Sequence, residues 1–325
     1  MKKLTIGLQG GSGFLGSFLA NLLVRRGHSV RISTRRSANS RRIWVLPNTK
    51  IEEVDMNRQE QIDRFFEGCD CVVNLVGILN ERKDNGQGFT YAHVELVNRL
   101  IKSCKTNGIG HLVQISALGA DALSDSYYLS SKGQAERLVQ SERSPKLSTS
   151  VIRPSVIFGP NDGFTNRFAR LLKLTRGLLP LACPQSRLQP VYVGDVSRAI
   201  IALIENETYF GKSYDVGGPE IFTLKEIVEY IGEVTDSNVR IIPLNNLFSV
   251  IQAQMLEFMP GKPFSKDNLR ALKKDSVCES SNALFRLGVC ATSVNQILPS
   301  YLGGSSIRKR YSQYRNLAGR SQKTG

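Results

Sequence analysis

The stretch "LTIGLQGGSGFLGSFLANLLV", residues 4 to 24, restricts the fold more than any other part of the chain. A short apolar run suited to a buried strand stops at Gly10, and apolar residues resume at helical spacing from Phe14. Between them lie Gly10, Gly13 and Gly16. A turn free of side chains leaves backbone N–H groups bare at the positive end of the helix, where a pyrophosphate can approach them. The third glycine lets helix and strand pack closely. A strand, a glycine turn and a helix in that order therefore predict a dinucleotide-binding crossover.

The alternation continues through the first half. "SVRIS" follows the first helix; "CDCVVNLV" precedes "FTYAHVELVNRLIKSCKTNG", and "HLVQIS" comes next. "YYLSSKGQAERLVQSE" then leads into "STSVIRPSVIF". Strand and helix at this spacing predict an α/β fold, a doubly wound parallel sheet with helices on both faces. Residues 1–155 form the predicted dinucleotide domain, with the sheet completed by segments within 188–220 such as "SYDVGG". Residues 156–187 and 221–302 form a smaller, mostly helical C-terminal lobe, in which "GFTNRFARLLKLTRGLLP" reads as one helix. Thr223 with Glu226 forms a capping-box pattern that opens another. Residues 245 to 302 read as mostly helical and polar-faced.

The second strand ends in "RISTRRSANSRR". An acid at this distance from the glycine turn would hold the adenosine ribose hydroxyls. Ser33, Thr34, Arg35 and Arg36 stand there instead. Guanidinium forks suit a 2′-phosphate, so the expected cofactor is NADP(H) in preference to NAD(H). The bland alternative is a solvated basic turn.

At 41% hydrophobic and 22% charged residues the composition is that of an ordinary globular protein. No run approaches the ~20 apolar residues of a spanning helix. "MKKLTIGLQGG" lacks the apolar length of an export signal, and no Arg/Ser-rich presequence is present, so a cytoplasmic location is expected. Six scattered cysteines without CxxC read as unpaired thiols, and three histidines without paired spacing predict no metal site. The net charge of +15 is unusual. Residues 303–325 hold Arg308, Lys309, Arg310, Arg315, Arg320 and Lys323 and no acid. Such a balance points to anionic partners; without a recognition motif, nucleic acid is not expected.

With these pieces assembled, the sequence resembles an atypical or extended short-chain dehydrogenase/reductase of the NAD-dependent epimerase/dehydratase type. "GFLG" within the glycine spacing, "DM" at Asp55–Met56, "NLVG" at 74–77 and "YLSSK" carry the resemblance. "NLVGIL", "VIRPSVIFGPND", "LQPVYVGDVSRAI", "YDVGGPEIFTLKEI" and "VNQILPSYL" narrow it. They resemble the dinucleotide-binding accessory subunit family of respiratory complex I and its bacterial relatives. The likeness implies cofactor contacts at Gly10, Ser12, Gly13, Phe14, Leu15, Gly16, Thr34, Arg35, Arg36, Asp55, Met56, Leu75, Val76, Gly77, Lys132, Pro154, Ser155 and Val156. It implies Tyr128 as general acid/base, with Lys132 one helical turn on lowering its pKa and holding the nicotinamide ribose, and Ser116 orienting the substrate oxygen. Ala117 replaces a second hydroxyl of the family motif, and the loop "ALGADALSDSY" is short, which predicts a cramped pocket. Asp195 reads as a helix cap or first-turn residue.

Two functions fit. One is an oxidoreductase that moves hydride between NADPH and a carbonyl or quinone-like substrate. The other is a catalytically silent NADP(H)-binding accessory or assembly factor, docking on complex I or a quinone-biosynthesis assembly. The basic tail, expected to be disordered, would allow peripheral contact with an anionic inner membrane face.

Overall fold

The computed structural model describes residues 2–35, 43–142, 144–259, 262–279 and 281–303. The chain begins with β1 (Thr5–Gln9), α1 (Phe14–Arg25), β2 (Ser29–Thr34), β3 (Thr49–Glu53), α2 (Gln59–Phe66) and β4 (Cys71–Asn74). Next come α3 (Gln87–Thr90), a π-helical turn (Tyr91–Glu95), α4 (Leu96–Thr106), β5 (His111–Ile115), α5 (Tyr127–Ser141) and β6 (Ser148–Pro154). The chain then passes through β7 (Ile157–Phe158), α6 (Thr165–Leu174), β8 (Leu178–Leu181), β9 (Arg187–Leu188) and β10 (Val191–Tyr192). It returns to the sheet with α7 (Val193–Glu205) and β11 (Ser213–Val216). The remainder is β12 (Phe222–Thr223), α8 (Leu224–Val234), β13 (Arg240–Pro243), α9 (Asn246–Glu257), α10 (Lys266–Leu272) and α11 (Val294–Leu302).

Seven parallel strands form the main sheet in the order β11-β6-β5-β4-β1-β2-β3. This is the doubly wound α/β fold that the alternation predicts. Every residue of β4 and β5 is buried, as a parallel strand covered on both faces requires. On one face Leu19 and Leu23 of α1 and Val196 and Ile200 of α7 close over Ile6, Leu8 and Ile32. On the other, Phe66, Leu100 and Val139 from α2, α4 and α5 cover Val72, Leu112 and Val151. The strand order reverses between β1 and β4, and the crevice beyond the carboxyl ends of these strands is where a ligand of such a sheet binds.

The lobe has its own core, where Leu172, Ile227, Ile231 and Leu298 meet. Thr223 and Glu226 form the expected capping box at the start of α8. Asp195 lies in the first turn of α7 and accepts hydrogen bonds from the Thr292 backbone and hydroxyl, tying the lobe to the sheet. Three expectations are corrected. The stretch 163–180 read as one helix is helical only over Thr165–Leu174, and "LLPL" forms β8, pairing with β13. Residues 273–293 contain a single 3₁₀ turn, Phe285–Leu287, among the described residues, so the segment is less helical than predicted. Helix α9 is not polar-faced: Leu247, Phe248, Ile251 and Met255 are exposed, while Ser249 and Ala253 are buried. Among the described residues no helix is long and apolar enough to cross a membrane. The tail expected to be disordered, residues 303–325, lies outside the described residues beyond Gly303.

Candidate functional site

The glycine turn sits at the carboxyl end of β1, against the end of β4. Gly10 has φ +77°, and a Cβ there would lie 3.1 Å from the Val76 side chain and 3.2 Å from its backbone nitrogen. The positive φ and the crowding both select glycine. A Cβ on Gly16 would stand 2.5 Å from the Gly11 backbone, so α1 packs on the turn at a distance no side chain permits. Helix α1 begins after Gly13 with no side-chain cap and no acid in its first turn. The amides of Phe14, Leu15 and Gly16 therefore open the helix without a capping carboxylate or hydroxyl, as an anion seat requires. Ser12 reaches the end of β2, its hydroxyl 3.2 Å from that of Thr34. Arg35 follows Thr34 and is exposed; Arg36 lies outside the described residues.

Around this turn, Met56 is approached by the Gln9 side-chain amide, whose Oε1 is buried without a hydrogen-bond partner among the described residues. The Asp55 carboxylate accepts from the backbone and side chain of Asn57. These hydrogen bonds hold its carboxyl below the usual range. Asp55 thus shapes its own turn. Leu75 and Val76 continue from β4, with the Leu75 amide donating to Gln9 O and the Val76 amide to Asn74 Oδ1.

The second half of the site is carried by α5. Ser126 caps it, accepting from the Leu129 amide. Lys132 is buried; its Nζ donates to Ile115 O at 3.1 Å and lies 3.5 Å from Val76 O. A Cβ on Gly77 would touch that nitrogen at 3.4 Å, so Gly77 leaves the ammonium one bare approach. Burial lowers the Lys132 pKa to about 8, with the Glu136 carboxylate opposing the shift. Tyr128 is half-buried, its ring edge-on to Phe89 and His93 at 6.0 and 5.7 Å. Burial pushes its phenol up to about 12. This corrects the expected lowering by Lys132: in the protein alone the ammonium is turned to two backbone carbonyls, and the phenol is governed by desolvation. Ser116, after the end of β5, is 4% exposed, and its hydroxyl has no partner among the described residues. Burying a hydroxyl unpaired is costly. A donor kept in that state suits a ligand oxygen.

Pro154, Ser155 and Val156 leave β6 beside this point, but the Ser155 hydroxyl is committed. It donates to Ser276 O at 2.7 Å and accepts from the Gln189 amide. The Ser155 hydroxyl is thus not free for a ligand, and Val156 packs against the core of the lobe.

Two site residues carried no signal in the sequence reading. His93 lies in the π turn, which inserts an extra residue and is frequent at functional sites. Its Nε2 accepts from the Ile78 amide at 3.1 Å, so the proton sits on Nδ1, which donates to Ser131 Oγ at 2.8 Å. Ser131 in turn donates to Tyr128 O. Burial and the Lys132 charge hold the imidazole neutral, with a pKa of about 2. The chain pins the strand-end loop to α5. The other is Asp267 of α10, also buried, whose carboxylate accepts from Ser126 Oγ at 3.0 Å and from the amides of Tyr127 and Tyr128 at 2.6 and 3.0 Å. Arg270 pairs with both Asp267 and Asp84 and lies over the Tyr127 ring. The lobe thereby sets the N-terminus of the helix that bears Tyr128. A Cβ on Gly119 would meet Lys274 Cδ at 3.2 Å, so the lobe also crosses the loop after Ser116.

The bare turn at Gly10, the uncapped α1, and the unpartnered Gln9 and Ser116 atoms fit a dinucleotide along the strand ends. Among the described residues no group of side chains could hold a metal ion.

Comparison with known proteins agrees with this geometry. The chain is 29% identical to the Arabidopsis thaliana protein named NADH dehydrogenase [ubiquinone] 1 alpha subcomplex subunit 9, mitochondrial, over 85% of this chain and 71% of that protein. It is 27% identical to the 2-alkyl-3-oxoalkanoate reductase of Stenotrophomonas maltophilia, over 68% of this chain and 73% of that enzyme. The crystal structure of a UDP-glucuronic acid 4-epimerase from Bacillus cereus, in complex with UDP-glucuronic acid and NAD, superposes with a TM-score of 0.71. It covers 92% of this chain and 96% of its own at 16% identity, a likeness of fold. The model of the NAD dependent epimerase/dehydratase family matches residues 6–217, from β1 to just past β11, and the chain belongs to that family.

Proposed function

We propose that this protein is an NADPH-dependent reductase of a small carbonyl or quinone-like substrate. The observation that carries the reading is the Ser116 hydroxyl, buried at the carboxyl end of β5 without a partner among the described residues, beside the carbonyl that receives Lys132. Gly10, Gly13 and the first amides of α1 would hold the pyrophosphate, Arg35 the 2′-phosphate, and Lys132 the nicotinamide ribose. When bound, the dihydronicotinamide supplies the hydride for the carbonyl carbon. Ser116 donates a hydrogen bond to the carbonyl oxygen and stabilises the charge that develops there. Tyr128, kept protonated at neutral pH by its raised pKa, holds the proton that this oxygen takes up. Asp267 fixes the backbone of Tyr127 and Tyr128, and His93 with Ser131 fixes the opposite wall. Asp267 of α10 closes on the start of α5 and Lys274 on the loop after Ser116, which favours a compact substrate.

The named relative from Arabidopsis thaliana supports a second reading, an NADP(H)-binding accessory protein of a respiratory or quinone-related assembly. The turn of Lys132 toward Ile115 O, away from assisting Tyr128, also favours it. One experiment separates the two. NADPH oxidation is followed with aldehydes, ketones and short-chain quinones for the protein and for Tyr128→Phe. The reductase reading expects turnover that disappears in the variant while NADPH binding stays nearly intact. Tight NADPH binding with no turnover on any of these classes would leave the accessory reading.

A further inference from the structure

Helix α9 turns its apolar side outward. From Asn246 to Leu256 it has no charged residue. It seats Ser249 and Ala253 inward, the latter in a small cluster with Ala182 and Leu269. Leu247 is 66% exposed, Met255 68% and Phe258 90%, and Phe248, Val250, Ile251 and Met259 are exposed with them. At about 100° per residue the positions from Leu247 to Phe258 fill one continuous arc of roughly 160°, interrupted only by Gln254, and Met259 follows just past the helix. The one acid of the helix, Glu257, is paired with Lys262.

The strands beside α9 extend this surface. Gln252 donates to Pro180 O at 2.8 Å, and the Leu244 amide to Leu181 O at 3.0 Å, so the helix lies along β8. Register places Arg240 opposite Leu178 and Ile242 opposite Pro180, and all four are exposed. Beyond Leu178 the rim is basic, with Arg176, Lys173 and Arg170 exposed at the end of α6 and in the turn after it. Arg170 and Lys173 line a depression with Asn166, whose Nδ2 is buried and donates to no acceptor among the described residues. Leu302 lines the same depression, and the sequence that follows carries six further cations and no acid. An apolar arc next to cations that have no ion-pair partner among the described residues is the composition of a helix that lies in a bilayer interface facing anionic headgroups. A second copy on this face is disfavoured by the net charge of +15.

We propose that α9 with the outer face of β8 and β13 docks on an anionic lipid bilayer. The apolar arc enters the boundary between headgroups and acyl chains, and the Asn166–Arg170–Lys173 depression receives a lipid phosphate. The proposal rests on α9, β8 and β13 alone and does not depend on the reductase reading.

The test is cosedimentation of the full chain with phosphatidylcholine vesicles, with and without phosphatidylglycerol, for the protein, for Met255→Ser/Phe258→Ser and for Lys173→Gln/Arg170→Gln. Exposure of these side chains predicts unchanged thermal melting and unchanged NADPH binding in both variants. The proposal expects binding to the anionic vesicles that falls by roughly tenfold or more in the apolar variant, and a smaller loss in the charge variant. Insertion is read independently with Phe258→Trp in a Trp44→Phe background, Trp44 being the sole tryptophan. Quenching by brominated acyl chains is the expected result. Three results would overturn the proposal: no binding to anionic vesicles, wild-type binding by the apolar variant with no quenching, or loss of a concentration-dependent dimer in that variant in place of loss of vesicle binding. The second would assign the attraction to the basic tail alone.

Discussion

Ser116→Ala separates a hydroxyl kept for a ligand from one kept for the fold. The Ser116 oxygen is buried and has no hydrogen-bond partner among the described residues. An unsatisfied buried hydroxyl costs about 1–3 kcal/mol, and alanine removes that cost while leaving the methylene in place. Unfolding entropy is about 2.1 cal/mol/K per residue; across 325 residues the gain corresponds to a rise in melting temperature of about 1.5–4.5 °C. The same change removes a donor to the developing oxyanion, and one such donor is typically worth about 100- to 1,000-fold in kcat. The variant should therefore melt higher, bind NADPH as before and reduce carbonyls far more slowly. Calorimetry of the ligand-free protein, an NADPH titration and steady-state rates measure the three quantities. A lower melting temperature would falsify the reasoning, because it would show that the hydroxyl supports the fold.

Further predictions concern cofactor choice, pH and the lobe contact. Arg35→Asp should weaken NADPH binding by about tenfold or more relative to NADH, since a carboxylate repels the 2′-phosphate that a guanidinium holds; equal NADPH and NADH affinities in the unmutated protein would remove the argument from β2. Lys132 has its pKa lowered to about 8 by burial, against about 10.4 for an exposed lysine. Between these values the unfolded chain binds the extra proton, so this group's contribution to stability rises with pH from about 8 upward. Melting curves across that window should show the rise in the protein and not in Lys132→Met, which should be the more stable of the two near neutrality. Asp267→Ala removes three hydrogen bonds to a buried carboxylate at the start of α5 and should cost about 3 kcal/mol. It should also lower kcat more than it weakens NADPH binding; a fall in NADPH affinity alone would contradict the assignment.

The glycine turn of the candidate site was legible because its requirements are local. A strand must run into a helix through a turn that tolerates positive φ and close approach, and Gly10, Gly13 and Gly16 state this within seven consecutive residues. Parallel strands buried on both faces need continuous apolar runs, so β4 and β5 could be read directly. The capping box at Thr223 is likewise a pattern of four neighbours. Tyr128 and Lys132 share one helix face by spacing alone.

The tertiary structure decided what spacing leaves open. Tyr128 is desolvated and Lys132 is turned to Ile115 O, a direction set by the ends of β4 and β5 and not by α5 itself. The Ser155 hydroxyl is occupied by a serine 121 residues further on. Asp267 reaches the Tyr128 amide across 139 residues. No local pattern encodes either contact, because each depends on where the lobe folds back. The same holds for α9. A sequence shows that apolar residues gather on one side of a helix, but only packing determines which side meets the core. Here Ser249 and Ala253 let α9 sit close to the lobe and leave its larger side chains facing outward.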